Sequence, residues 1–182
     1  MKNSKNADFP GFVQAVKSLC DVVESRSKLS QIELIQRLYS SIVVLLKVAS
    51  EIPGYNDMTN FKIDLKKRHL EWKALYSSLQ KKFGKYDRYR EVFDPYDKRD
   101  KRPTIGSLAD DIAGIYGDIK EGLDKWPAAS PKVRRQLMSN WRFQFEIHWG
   151  EHGTSALRAL YFLNFRIIEG KDGLPIGLHK KK

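Results

Sequence analysis

One cysteine, Cys20, rules out a disulfide within the chain and suits a reducing compartment. Long hydrophobic runs are missing as well. The richest stretch, Ser41-Ile-Val-Val-Leu-Leu-Lys-Val-Ala49, carries a lysine and is far too short to span a bilayer. The first residues, Met1 to Asp8, lack the apolar core of a signal peptide. A cytoplasmic protein with no membrane segment is therefore expected. Histidine is scarce, with four in 182 residues, so where these fall is informative. Negative charge is scarce too: 22 acidic residues against 33 basic ones leave a net charge of +11. A field of that sign suits nucleic acid, anionic lipid or an acidic protein partner, or only a soluble surface.

The acid that is present is concentrated. Residues 103–128 hold five carboxylates against two lysines, and form the one acidic segment of a basic chain. Hydrophobic content of 41% and aromatic content of 12% fit a folded globular chain and exclude disorder throughout. The length suits one domain, 1–182, with flexible ends at about 1–7 and 172–182.

Helix punctuation is plain along the chain. Phe12, Val13, Val16, Leu19, Cys20 and Val23 recur at helical spacing, so 9–25 reads as an amphipathic helix. Ser30-Gln-Ile-Glu33 has the form of a capping box and opens a second helix, which Pro53 stops. A third is expected from Asn60 to Phe83, ended by Gly84, with Phe61, Leu65, Leu70, Trp72, Leu75, Tyr76 and Leu79 on its apolar side. A long irregular connection follows near 84–106. Ser107-Leu-Ala-Asp110 reads as a second capping box, opening the acidic helix. Ser130-Pro131 opens the last one. Between Trp141 and Trp149 apolar residues alternate with polar ones, the period of a strand. Helical patterning on both sides decides for a helix, apolar almost all round and central. The expected fold is an all-α bundle of five or six helices.

Two of the four histidines, His148 and His152, lie four residues apart with Glu151 beside the second, in a segment crowded with aromatic and aliphatic side chains. Titratable groups are costly to bury without partners. Partners are available on the acidic helix, which carries Gly114, Gly117 and Gly122. The last helix carries Gly150, Gly153, Ala156 and Ala159. Close crossing at these small residues would bring Asp111, Asp118 and Glu121 to His148, Glu151 and His152. His148-Trp-Gly-Glu-His152 also matches the inverted zinc-protease pattern H-x-x-E-H. That class needs a further carboxylate ligand downstream, and Glu169 is the sole glutamate there. A metal held across helices by His148, His152, Asp118 and Glu121 is the stronger version. Asp111 and Asp118 cannot easily share one ion, being about 10 Å apart along a helix at its usual rise.

Three motifs together, Tyr89 to Asp97, Gly106 to Leu123 (with Leu108-Ala-Asp-Asp111) and Trp141 to His152 (with His-Trp-Gly-x-His), resemble an uncharacterised bacterial family known as a domain of unknown function. The resemblance covers nearly the whole chain. It implies an all-helical cytoplasmic protein, and brings no activity, substrate or catalytic residue.

The leading functional reading is a non-catalytic binding or adaptor protein, partnered by another protein or by its own copies. Its His–carboxylate cluster organises the core or lines a small pocket, and no cofactor is required. A second reading is a metal-dependent, hydrolase-like enzyme using that cluster with a divalent ion. A third is a nucleic-acid-associated protein using Lys81, Lys82, Lys85, Arg88 and Arg90, interleaved with Tyr86, Tyr89, Phe93 and Tyr96 for stacking. Arg142 and Glu146 read as a helix pair, Cys20 as core, and His69 and His179 as incidental.

Overall fold

The structure is a computed structural model describing residues 9–54, 65–92, 96–97, 99 and 103–169. The expected flexible ends, the start of the third helix with Phe61, and Phe93 and His179 lie outside the described residues. Six α-helices are present among the described residues: α1 Pro10–Glu24, α2 Gln31–Ser50, α3 Leu65–Phe83, α4 Leu108–Lys125, α5 Pro131–Gln144 and α6 Gly150–Glu169. Two short strands, β1 Arg88–Glu91 and β2 Thr104–Ser107, pair antiparallel with Arg88 opposite Ser107 and Glu91 opposite Thr104.

Helix ends follow local chemistry. Ser30 and Glu33 make both halves of the capping box, with the Glu33 N–H donating to Ser30 Oγ at 3.2 Å and the Ser30 N–H to Glu33 Oε2 at 2.8 Å. Gly84 ends α3 with a positive φ of 52°, a conformation other residues adopt at a cost. The Gln31 side chain donates to the last-turn carbonyls of Lys82 and Phe83, each at 2.9 Å, tying the end of α3 to the start of α2.

The core gathers one face of each helix. Phe12, Val16 and Leu19 of α1 meet Leu34, Leu38 and Ile42 of α2, Leu79 and Phe83 of α3, Ile112, Ile115 and Ile119 of α4, and Trp149 and Leu160 further on. The central helix is α4, which packs against α1, α3, α5 and α6. This corrects the expectation that the last helix occupies the centre. On α3, Leu75 and Leu79 are buried and Trp72 and Tyr76 half-buried, but Leu70 faces solvent.

The segment 84–106 is not irregular throughout, since the ribbon β1–β2 occupies its two described ends. The ribbon also supplies the cap of α4. Ser107 Oγ accepts from the Asp110 N–H at 3.3 Å, as a capping box requires. The carboxylate that completes the helix start is Asp87, not Asp110. It accepts from Ser107 Oγ at 2.9 Å and from the Ala109 N–H at 2.9 Å, and the Leu108 N–H donates to its carbonyl at 2.9 Å. A buried carboxylate from 20 residues upstream thus neutralises the positive end of α4.

Between α5 and α6 the helix continues through one π turn, Phe145–Trp149. In an unbroken α-helix Trp141 and Trp149, eight positions apart, would face roughly 80° away from each other. The wider π turn brings them round to a common side. Both are buried, and Trp149 Nε1 donates to the Trp141 carbonyl at 3.3 Å. The strand-like alternation in this stretch is the trace of that phase slip. The segment is not apolar all round in place: Phe143 is exposed, and Ile147 is 57% exposed.

The glycines do not line one crossing. A Cβ on Gly122 would meet the Trp141 ring at 2.5 Å, and one on Gly153 would meet Leu46 at 2.8 Å, so these open onto α5 and α2 respectively. Gly150 is crowded by the Phe145 carbonyl of the π turn, and Gly117 looks toward Arg68 of α3. Only Gly114 serves the expected contact, with the His152 ring 3.3 Å from the position of its missing Cβ.

Asp87→Ala is expected to destabilise the fold by roughly 2–3 kcal/mol, because it strands buried donors at the start of α4. Asp110→Ala should cost under about 1 kcal/mol, the loss of an acid near a helix N-terminus. Urea denaturation of the two variants checks this, and an equal or reversed ranking would contradict the assignment of the cap.

Candidate functional site

The six polar residues expected to cluster resolve into two Asp–His pairs. Asp111 and Asp118 are seven positions apart on α4, two turns, and so share a face. His148 sits on the π turn and His152 in the first turns of α6. His148 Nδ1 lies 2.6 Å from Asp118 Oδ2, and His152 Nδ1 lies 2.9 Å from Asp111 Oδ1. The imidazoles meet edge to face, with ring centroids 4.8 Å apart.

Each aspartate has a second partner on another element. The Arg68 guanidinium of α3 donates to Asp118 Oδ1, and the Tyr89 hydroxyl of β1 donates to Asp111 Oδ2 at 2.6 Å. The two carboxylates of α4 therefore clamp α3 to the π turn and the ribbon to α6. An ionised carboxylate only accepts hydrogen bonds, so the pairing assigns the proton of each neutral imidazole to Nδ1 and leaves Nε2 as its second nitrogen, that of His152 on the ring edge packed over Gly114.

Glu121 and Glu151 are not part of these pairs. Glu121 bonds to Lys125 one turn along α4, and Glu151 is exposed on α6. Arg68 and Tyr89 were not expected. Arg68 lies 50 positions from Asp118 and carries no local signal, whereas Tyr89 stood out only as an aromatic in a basic stretch. Arg142 and Glu146 do form the helix pair, at 2.6 Å.

Burial is graded across the site. The side chains of Asp118 and Asp111 are 3% and 7% exposed, those of His152 and His148 26% and 50%. The Asp111 carboxylate raises His152 above the ordinary histidine value, against burial, which lowers it. Burial raises Asp111 above the ordinary carboxylate value, opposed by the bonds from His152 and Tyr89. Burial first, then the bond to Asp111, push the Tyr89 phenol well up, so it stays protonated and donates. By contrast, the thiol of Cys20 is buried and pushed up to about 12, which fits a core side chain and not a nucleophile.

Two clefts meet at His148, and His152 borders the second. One, of about 560 Å³ between α3 and α4, is bordered by Arg68, Trp72, Gly117, Asp118, Glu121 and His148. The other, of about 640 Å³ between the ribbon and α6, is bordered by Trp72, Arg88, Asp111, His148, Glu151 and His152. Trp72 and His148 border both. Among the described residues no three His, Cys, Asp or Glu side chains converge on a position that could hold a metal ion.

The basic stretch is differently placed. Lys81, Lys85, Arg88 and Arg90 are exposed, while Lys82 turns in to donate to the Leu29 carbonyl. Arg88 pairs with Asp87, and Lys85 lies over the Tyr86 ring at 4.9 Å. Tyr86 and Tyr89 are half-buried, with the Tyr89 ring packed over Gly106 and its hydroxyl committed to Asp111, whereas Tyr96 is 91% exposed.

Fold and site together define an all-helical bundle with a small β-ribbon and a paired His–Asp arrangement in its cleft wall. The chain belongs to the family described as Domain of unknown function (DUF5063), whose model matches residues 3–166. It is similar to protein BF1032 from Bacteroides fragilis, a crystal structure from a structural genomics consortium. The TM-score is 0.67 at 16% sequence identity, over 85% of this chain and 90% of that one. At that identity the likeness concerns the fold alone. No curated protein matches the chain. Among the described residues, no helix is long and apolar enough to cross a membrane.

His152 binds its proton more tightly folded than unfolded, so its contribution is fully present below the ordinary histidine value of 6.5 and is lost as pH rises through the raised folded value. In metal-free buffer, thermal unfolding should show the native chain losing stability from pH 6 to pH 9 relative to His152→Gln. A parallel pH profile for the two proteins would contradict the pairing.

Proposed function

We propose that this chain is a cytoplasmic, non-catalytic binding protein whose ligand docks where the two clefts meet, against His148 and His152. The observation that carries this reading is the burial gradient of the Asp118–His148 pair. Asp118 is 3% exposed with Arg68 behind it, yet the imidazole it holds is 50% exposed and borders both clefts. Burying a carboxylate is expensive, and stability alone is served as well by apolar packing. A half-exposed ring gives little stability in return. Fixing that ring in a cleft is the kind of preorganisation that binding sites use. Trp72, half-buried and common to both clefts, adds an apolar wall beside the polar groups.

Support for a non-catalytic role comes from what surrounds the pairs. The Tyr89 hydroxyl donates to Asp111 and is held protonated, so it is not an activated nucleophile beside the imidazoles. The thiol of Cys20 is buried in the α1 core and borders neither cleft. An NMR screen of small polar fragments tests the reading. Binders should shift the imidazole signals of His148 and His152 together, and His148→Ala should weaken them at least tenfold. Fragments that bind without moving either ring, or bind His148→Ala equally well, would sink it.

A further inference from the structure

We propose that His148 and His152 jointly bind one divalent d-block cation through their Nε2 atoms, with Asp118 and Asp111 as outer partners that hold the rings. This deepens the cleft-binding reading and rests on it, by naming the class of ligand. Three geometrical facts point this way. First, the histidines stand at i and i+4 across the π turn and the start of α6, and their ring centroids are 4.8 Å apart. A cation about 2.0–2.1 Å from one nitrogen of each of two imidazoles places those centroids roughly 5 Å apart.

Second, both Nδ1 atoms are already engaged by carboxylates, at 2.6 and 2.9 Å. A metal-binding histidine almost always donates its other ring N–H to such a partner, which fixes the tautomer and makes the free nitrogen a better ligand. One such pair is common in any protein. Two on neighbouring helical turns, with the rings in contact, are not explained by packing alone.

Third, both oxygens of each aspartate already accept a bond, Asp118 from Arg68 and His148 and Asp111 from Tyr89 and His152. They therefore act behind the imidazoles and not as ligands. This revises the four-residue metal set expected from the sequence: Asp118 moves to the outer shell, and Glu121 drops out through its bond to Lys125. With no third protein ligand converging among the described residues, the ion keeps open positions facing the clefts. Such positions take water or an added small ligand. Two imidazoles select zinc, cobalt, nickel or copper over magnesium or calcium, which prefer oxygen.

The test uses the full chain, stripped of metal by chelator, with Co2+ and Zn2+ as probes. Titration calorimetry with Zn2+ and visible absorption with Co2+ should each report one equivalent bound, with no response to Mg2+. His148→Gln, at an exposed position, should weaken binding at least tenfold while leaving the fold intact by circular dichroism. Asp118→Asn should weaken it by roughly 10–100-fold although it removes no ligand atom, the usual effect of losing an outer partner. His69→Ala and His179→Ala should change nothing. Absence of stoichiometric binding, or binding that survives His148→Gln, overturns the proposal. Fragments that still move both imidazoles in a chain that binds no metal would leave the cleft reading standing and remove only the metal, whereas loss of both responses removes both.

Discussion

Two carboxylates on the central helix must be satisfied, and much of the structure around the clefts follows from that requirement. Asp111 and Asp118 are nearly inaccessible to water, in a setting where an unpaired charge would cost several kcal/mol. Each resolves the problem by accepting from two elements at once, Asp118 from Arg68 and His148, Asp111 from Tyr89 and His152. Helix α4 thereby fixes α3, the ribbon, the π turn and α6 relative to itself with directional bonds. Apolar packing alone would hold these elements together but tolerate sliding.

The π turn belongs to the same solution. It carries Trp149 into the core beside Trp141 and, one residue earlier, sets His148 toward Asp118. Single π turns inside α-helices are uncommon and frequent at functional sites, and the strain of one has to be compensated by other contacts. Here the burial of an indole and the bond to Asp118 supply that compensation. The outcome is an imidazole held from behind by Asp118 and half-exposed in front, where both clefts reach it.

The sequence made the helices legible because their ends carry local chemistry: Ser30 with Glu33, Gly84 after Phe83, and Ser130 before Pro131. The Asp–His association was legible too, from the coincidence of one acidic helix with two histidines at helical spacing. What escaped was non-local or depended on phase. Asp87 caps α4 from across the ribbon, and Arg68 reaches Asp118 from another helix, so neither leaves a mark in its own neighbourhood. The alternation from Trp141 to Trp149 misled because a π turn breaks the α period without introducing a strand. The glycines misled because a missing side chain shows that something comes close, and not what it is: Trp141 at Gly122, Leu46 at Gly153, and His152 only at Gly114.

Both imidazoles are oriented by carboxylates at Nδ1. Nitrogen-15 NMR of the histidine rings in the metal-free chain, at a pH where they are neutral, reads this orientation out. His148 and His152 should both carry their proton on Nδ1, with Nε2 bare, and Asp118→Asn should alter the His148 ring while leaving the His152 tautomer in place. Nε2-protonated rings, or a fast-exchanging mixture at both positions like that of a free histidine, would contradict it.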